Sequence, residues 1–173
     1  MNDSVQIVKP AIEEWEGFRD VVLRSLKDSP QAFLNTYEEA ASVPEDKWKN
    51  RIAGSLRGEV GVTLIAKHNG KIVGLVGVQF LQHVKMRHVA HVWGSYVDPE
   101  FRGLGIGRKL MDGIIGMSQA HPGIKKIKIE VIAEQLSAFE LYKKLGFQLI
   151  GVSHGDLCVD GNYYDEILME MML

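Results

Sequence analysis

The stretch that most constrains this chain is residues 91 to 107. His91 to Val97 is an apolar, β-branched and aromatic run that stops at Asp98-Pro99. A loop follows with glycines at 103, 105 and 107, and it opens into an apolar-periodic segment, Ile106 to Met117. The order reads as strand, loop, helix. The first turn of a helix leaves backbone N–H groups unpaired, and the aligned peptide dipoles place partial positive charge at the same end. Glycines there leave no side chain to hold an anion away from those groups, while Arg102 and Arg108 add charge at the two ends of the loop. A pyrophosphate is the natural ligand of such a cradle.

Two familiar phosphate loops are excluded. A dinucleotide fingerprint starting at Gly103 requires glycine where Arg108 stands, and the only Gly-Lys, Gly70-Lys71, is followed by Ile72 rather than Ser or Thr. What fits is arginine, two residues, glycine, one residue, glycine: Arg102, Gly105 and Gly107, preceded by Val97-Asp98-Pro99. With a second block, Ala138, Leu141-Tyr142 and Leu145-Gly146-Phe147, the sequence resembles the GCN5-related N-acetyltransferase (GNAT) superfamily. For the fold, the resemblance implies an α/β (α+β) class. A single domain over 1–173 is expected, with a central mixed, mostly antiparallel sheet of about seven strands flanked by about four helices.

Composition agrees with one soluble domain and narrows the partners. The 173 residues are 46% hydrophobic with a net charge of −2, so no overall basic character recruits nucleic acid or an anionic membrane. Met1-Asn2-Asp3-Ser4 lacks the basic and apolar regions of a leader, and no run approaches a membrane span, which predicts a cytoplasmic protein. Cys158, the only cysteine, excludes an internal disulfide and a thiolate metal cluster, and reads as a small buried hydrophobe.

Along the chain, Val5 to Val8 reads as a strand, and Pro10 opens a helix with Trp15, Phe18, Val22 and Leu26 on one face. Ser42 is the expected N-cap of a second helix to about Leu56. In the resembled family these helices border the acceptor site, which makes Phe33, Tyr37 and Trp48 candidates for substrate contact, although aromatics at helical spacing more often fill a core, and they are read so here. Gly61 to Leu81 is a hairpin turning at Asn69-Gly70. Lys125 to Ile132 alternates as a strand, Glu134 to Leu145 is a helix ended by Gly146, Phe147 to Val152 is a strand, and Leu157 to Met172 is a hairpin around Asp160-Gly161.

The resemblance implies an acetyl-CoA-dependent N-acetyltransferase, with direct transfer from the thioester to a primary amine in a ternary complex and no metal. A small-molecule amine is the favoured acceptor; a protein lysine or N-terminal amine, or a coenzyme A sensor without turnover, is the alternative. Tyr96, Val97, Arg102, Gly103, Leu104, Gly105, Ile106, Gly107, Arg108, Gln135 and Tyr142 are the expected cofactor-binding residues. The central strand is expected to splay from its parallel neighbour near Ser95 to Val97, freeing N–H groups for the thioester oxygen. Tyr142 stands where many members carry a general acid, and a phenol of pKa about 10 can protonate a thiolate. Gln135 replaces the usual asparagine seven residues before it. For the base, His91 is expected to share a face with Trp93 and Ser95, Glu130 on the adjacent strand is the other candidate, and ordered water is the alternative if neither reaches the amine. A homodimer through the tail strands is permitted by their exposed edges.

Overall fold

The computed structural model describes residues 5–173; Met1 to Ser4, on which the expectation about a leader rests, lie outside the described residues. Strands β1 (Gln6–Val8), β2 (Gly61–His68), β3 (Lys71–Phe80), β4 (Val89–Val97), β5 (Lys126–Ile132), β6 (Gln148–Val159) and β7 (Asn162–Met172) build one sheet. Their spatial order is β1-β2-β3-β4-β5-β7-β6, antiparallel throughout except where β4 lies parallel to β5. The expected seven-stranded mixed sheet is therefore present. Five α-helices rather than about four accompany it: α1 (Trp15–Asp28), α2 (Tyr37–Ala41), α3 (Glu45–Arg57), α4 (Ile106–Ala120) and α5 (Leu136–Leu145).

The additional helix, α2, has a local cause. Thr36 and Glu39 form a reciprocal capping box, with the Glu39 N–H donating to the Thr36 hydroxyl at 3.1 Å and the Thr36 N–H to the Glu39 carboxylate at 2.8 Å. Ser42, the expected N-cap of the next helix, instead closes α2, and Pro44 precedes α3. Pro10 also lies outside its helix, because the chain first makes a 3-10 turn at Ile12–Glu14 and becomes α-helical at Trp15.

Both hairpins turn where asparagine or aspartate precedes glycine. Asn69 and Gly70 have φ of 48° and 80°, and Asp160 and Gly161 have 50° and 80°, the left-handed pair that matches strand twist. β6 is one continuous strand from Gln148, longer than the Phe147 to Val152 segment expected. It forms an edge of the sheet, so Cys158, read as buried, is exposed there.

Two apolar layers hold the sheet between helices. Leu110, Met111 and Ile114 of α4 and Tyr142 of α5 pack with Val76, Val78, Ala90 and Val92. On the other face, Phe18 and Val21 of α1 and Trp48 and Ile52 of α3 pack with Ile65, Leu75 and Tyr96. Each such buried side chain contributes about 1.5–3 kcal/mol, and β3, buried on both sides, anchors the stack. Among the described residues no helix is long and apolar enough to cross a membrane.

Helix α4 leaves one position below its optimum. Gly116 is on its exposed side, and a methyl group there meets nothing within 4 Å, whereas one at Gly113 would come within 2.6 Å of Leu64. Glycine inside a helix costs about 0.5–1 kcal/mol relative to alanine. Gly116→Ala is expected to raise the melting temperature by about 1–4 °C, measured by calorimetry.

Candidate active site

The site begins where two strands separate. β4 pairs with β5 only from Val89 opposite Lys126 to His91 opposite Lys128. Beyond His91 the β5-facing backbone of β4 has no ladder partner, so the break starts earlier than the expected Ser95 to Val97. β4 also carries an extra residue against β3, since Leu75 faces Tyr96 while Gly77 faces Trp93. Gly94, with φ of 67°, is the bulged residue, and a bulge reverses the alternation of side chains beyond it. Tyr96 accordingly joins the layer beneath α1, and Ser95 turns toward Tyr142 on the α5 side. The expectation that His91, Trp93 and Ser95 share a face fails for Ser95 for this reason.

On the α5 side a groove of about 840 Å³ runs between the start of α4 and α5. Tyr96, Val97, Arg102, Gly103, Gly105, Ile106, Gly107 and Arg108 form one wall; Gln135 and Tyr142 contribute to the other. Leu104 does not line it and is 64% exposed. Gly103 and Gly105 have φ of 79° and 75°, conformations that few other residues adopt. Gly105 caps α4 without a side chain, and the first helical bond runs from the Lys109 N–H to the Gly105 carbonyl at 3.1 Å. The N–H groups of Ile106, Gly107 and Arg108 precede that bond, and no acidic residue stands in the first turn. This helix end can receive an anion. The Arg102 guanidinium itself reaches back, with Nε donating to the Val97 carbonyl at 2.9 Å and an ion pair to Asp28 at the end of α1. It braces the loop as it stands.

Where β4 and β5 part, a cavity of about 50 Å³ opens, lined by Trp93, Gly94 and Ser95 from one strand and Ile129 to Ile132 from the other. Ser95, Gln135 and Tyr142 line both spaces, so groove and cavity meet there. Tyr142 is 4% exposed; burial raises its phenol pKa, and the Ser95 side chain opposes that rise. Such a phenol stays protonated at neutral pH and can donate.

The two expected base candidates are in contact but unequally placed. Glu130 lines the cavity, and His91 does not. Their side chains are bonded to each other, and the Glu130 carboxylate raises the His91 pKa against the effect of burial. The imidazole is therefore engaged by Glu130 and stands outside the cavity.

Phe33 and Glu166, neither among the expected site residues, also line the site. Phe33, read as core, lines both groove and cavity beside Ala32, because the 3-10 turn Pro30–Ala32 carries the chain across β5 and β6. Trp48 is fully buried, as read. Glu166 of β7 also lines the cavity, and burial, followed by Asp156 and Glu130, pushes its pKa up to about 7. No local pattern in residues 162–172 marks it; only the pairing of Ile132 with Glu166 across β5 and β7 brings it to the opening.

Known proteins share this fold. L-amino acid N-acetyltransferase AaaT of Escherichia coli is 27% identical over 149 residues, covering 85% of this chain and 88% of that protein. An acetyltransferase of the GNAT family from Streptococcus pneumoniae superposes with a TM-score of 0.90 at 19% identity, covering 98% of this chain and 100% of that one. The Salmonella typhimurium protein yncA, solved with its cofactor acetyl-CoA, superposes with a TM-score of 0.84 at 17% identity, over 98% of this chain and 94% of that one. Residues 22–147, from within α1 through the glycine loop to the turn after α5, match the model of the acetyltransferase (GNAT) family. The chain belongs to that family and is an acyltransferase that uses acetyl-CoA.

Proposed function

We propose that this chain, acting as one domain over 1–173, transfers the acetyl group of acetyl-CoA directly to the primary amine of a small molecule in a ternary complex. The observation that carries the reading is the meeting of groove and cavity at Ser95, Gln135 and Tyr142. Acetyl-CoA supplies an activated acetyl group. The N–H groups opening α4 bind its pyrophosphate, Gln135 lies along the groove, and the unpaired backbone of β4 offers dipoles to the thioester oxygen. Tyr142 Oη donates a proton to the leaving sulfur. The acceptor enters the cavity from the α1 side, past Phe33 and Trp93, toward Glu130.

A small acceptor is favoured because the cavity, bordered by Ala32 and Phe33, has a volume of only about 50 Å³, where an extended peptide would need an open cleft. The likeness to AaaT, named for L-amino acids, supports the same choice. We place the reaction in the cytoplasm, where the exposed thiol of Cys158 stays reduced.

The test is thiol release from acetyl-CoA with L-amino acids, spermidine, an aminoglycoside, a peptide with a free α-amine and a lysine peptide. At least one small amine is expected to exceed both peptides about 100-fold in kcat/KM. The reverse order would overturn the small-molecule reading, and no thermal shift at millimolar acetyl-CoA would overturn the groove assignment.

A further inference from the structure

We propose that Glu166, rather than His91 or Glu130, takes the proton from the acceptor's ammonium group; this rests on the direct-transfer reading above. Geometry singles it out among the acidic groups around the cavity. Glu130 is engaged by His91. Asp165 accepts from the Gly155 N–H at 2.8 Å and contacts His154 at 2.7 Å, and neither Asp165 nor Asp156 lines the cavity. Glu166 lines it together with Tyr142, on the same face of the sheet as Glu130, because Ile132 lies opposite Glu166 and Glu130 opposite Leu168.

The strand beyond it is shaped to hold Glu166 in an acidic setting. Ser153 pairs with Glu166 and Leu157 with Tyr164, so residues 154 to 156 form an enlarged bulge against Asp165 alone. Gly155, at φ of 63°, makes the turn. Asp156 accepts a hydrogen bond from the Ser153 hydroxyl at 2.7 Å and interacts with the Glu166 carboxyl. The groups that act on Glu166 are Asp156 from β6, Glu130 from β5 and His91 from β4, while Ala32 and Phe33 bring no charge. Burial and the two carboxylates outweigh His91, so the group changes protonation at about pH 7 rather than near 4.5. A carboxylate of ordinary pKa is a weak base toward an ammonium, and this one can both accept and release a proton at neutral pH.

The proton balance is complete with Tyr142. One ammonium proton passes to the Glu166 carboxylate, freeing the nitrogen lone pair. The C–N bond forms as the C–S bond breaks, and the sulfur keeps that bond's electron pair and takes the Tyr142 proton. The second nitrogen proton restores the Tyr142 phenol, and Glu166 releases its proton to water.

The experiment is a pH series of kcat/KM, from about pH 5.5 to 9, on the acceptor that turns over best in the panel, for the parent, Glu166→Gln and Asp156→Asn. The parent rate should rise with pH through an acid limb near 7, as the carboxyl loses its proton. Glu166→Gln should lose about 10²–10³ in kcat/KM together with that limb, while the thermal shift with acetyl-CoA stays as in the parent. Asp156→Asn removes a cause of the raised pKa, so the limb should move down by about half a unit or more, which a purely structural role would not produce. Retention of the limb in Glu166→Gln, or a fixed limb in Asp156→Asn, overturns the assignment. An acceptor-free measurement stands beside it: carbon-13 titration of glutamate carboxyls, with the Glu166 resonance identified by its loss in Glu166→Gln. A midpoint near 7 supports the proposal, and one below about 5 overturns it. If only a peptide turns over, the small-molecule reading falls while the same pH series on that peptide still decides the role of Glu166.

Discussion

Tyr142→Phe is expected to lower kcat about 10²–10³-fold while leaving acetyl-CoA affinity unchanged. The ring is buried between the sheet and α5, 6.0 Å from that of Phe147, so phenylalanine keeps the packing and removes only the hydroxyl. That hydroxyl lies where groove and cavity meet. Burial raises the phenol pKa above its ordinary 10.0, so the proton is present throughout the working range and Tyr142 adds no basic limb below about pH 9. A lost general acid acts only as sulfur departs; kcat and kcat/KM for the amine should fall together, with KM nearly constant. Steady-state thiol release and calorimetric titration of acetyl-CoA measure the two sides. An unchanged kcat would leave the hydroxyl as a packing group beside Ser95, and the sulfur would take its proton from water.

How much of this was legible in the chain depends on the range of the interaction responsible. The glycine loop, the Asn69-Gly70 turn and the helix-ending Gly146 are set by neighbouring residues, and each is found where the sequence places it. The alternation in β5 is equally local: Ile127, Ile129 and Val131 are buried as their period of two requires. The Thr36 to Glu39 capping box is equally local, a threonine with a glutamate three residues on. Gly94 carried a weaker signal, since a lone glycine inside a strand often marks a bulge. Its consequence, the turning of Ser95 to the Tyr142 side, depends on pairing with β3. That Glu166 and Phe33 stand at the cavity is not set by their neighbours in sequence. One is brought in by the β5–β7 register and the other by a 3-10 turn crossing the sheet, and both depend on residues far away in sequence.

Gly105→Val should separate the backbone demand of the loop from its role in binding. In the left-handed conformation at φ of 75°, a β-branched side chain costs about 1–2 kcal/mol, which lowers the melting temperature by about 2–8 °C. Gly70→Val provides the matched control. Its φ is 80°, a Cβ there also meets nothing within 4 Å, and it sits in the β2–β3 turn, where it does not line the groove. Both variants should lose comparable stability. Only at Gly105 does the new side chain stand at the uncapped end of α4, where it separates a phosphate from the N–H groups of Ile106 to Arg108. Charge-assisted hydrogen bonds of this kind are worth about 1.5–3 kcal/mol each. Gly105→Val is therefore expected to weaken acetyl-CoA binding on the order of 100-fold, equivalent to about 2.8 kcal/mol, with Gly70→Val near the parent value by titration calorimetry. Equal affinities in the two variants would mean that the pyrophosphate is held elsewhere, and that the glycines of the loop serve only its turn.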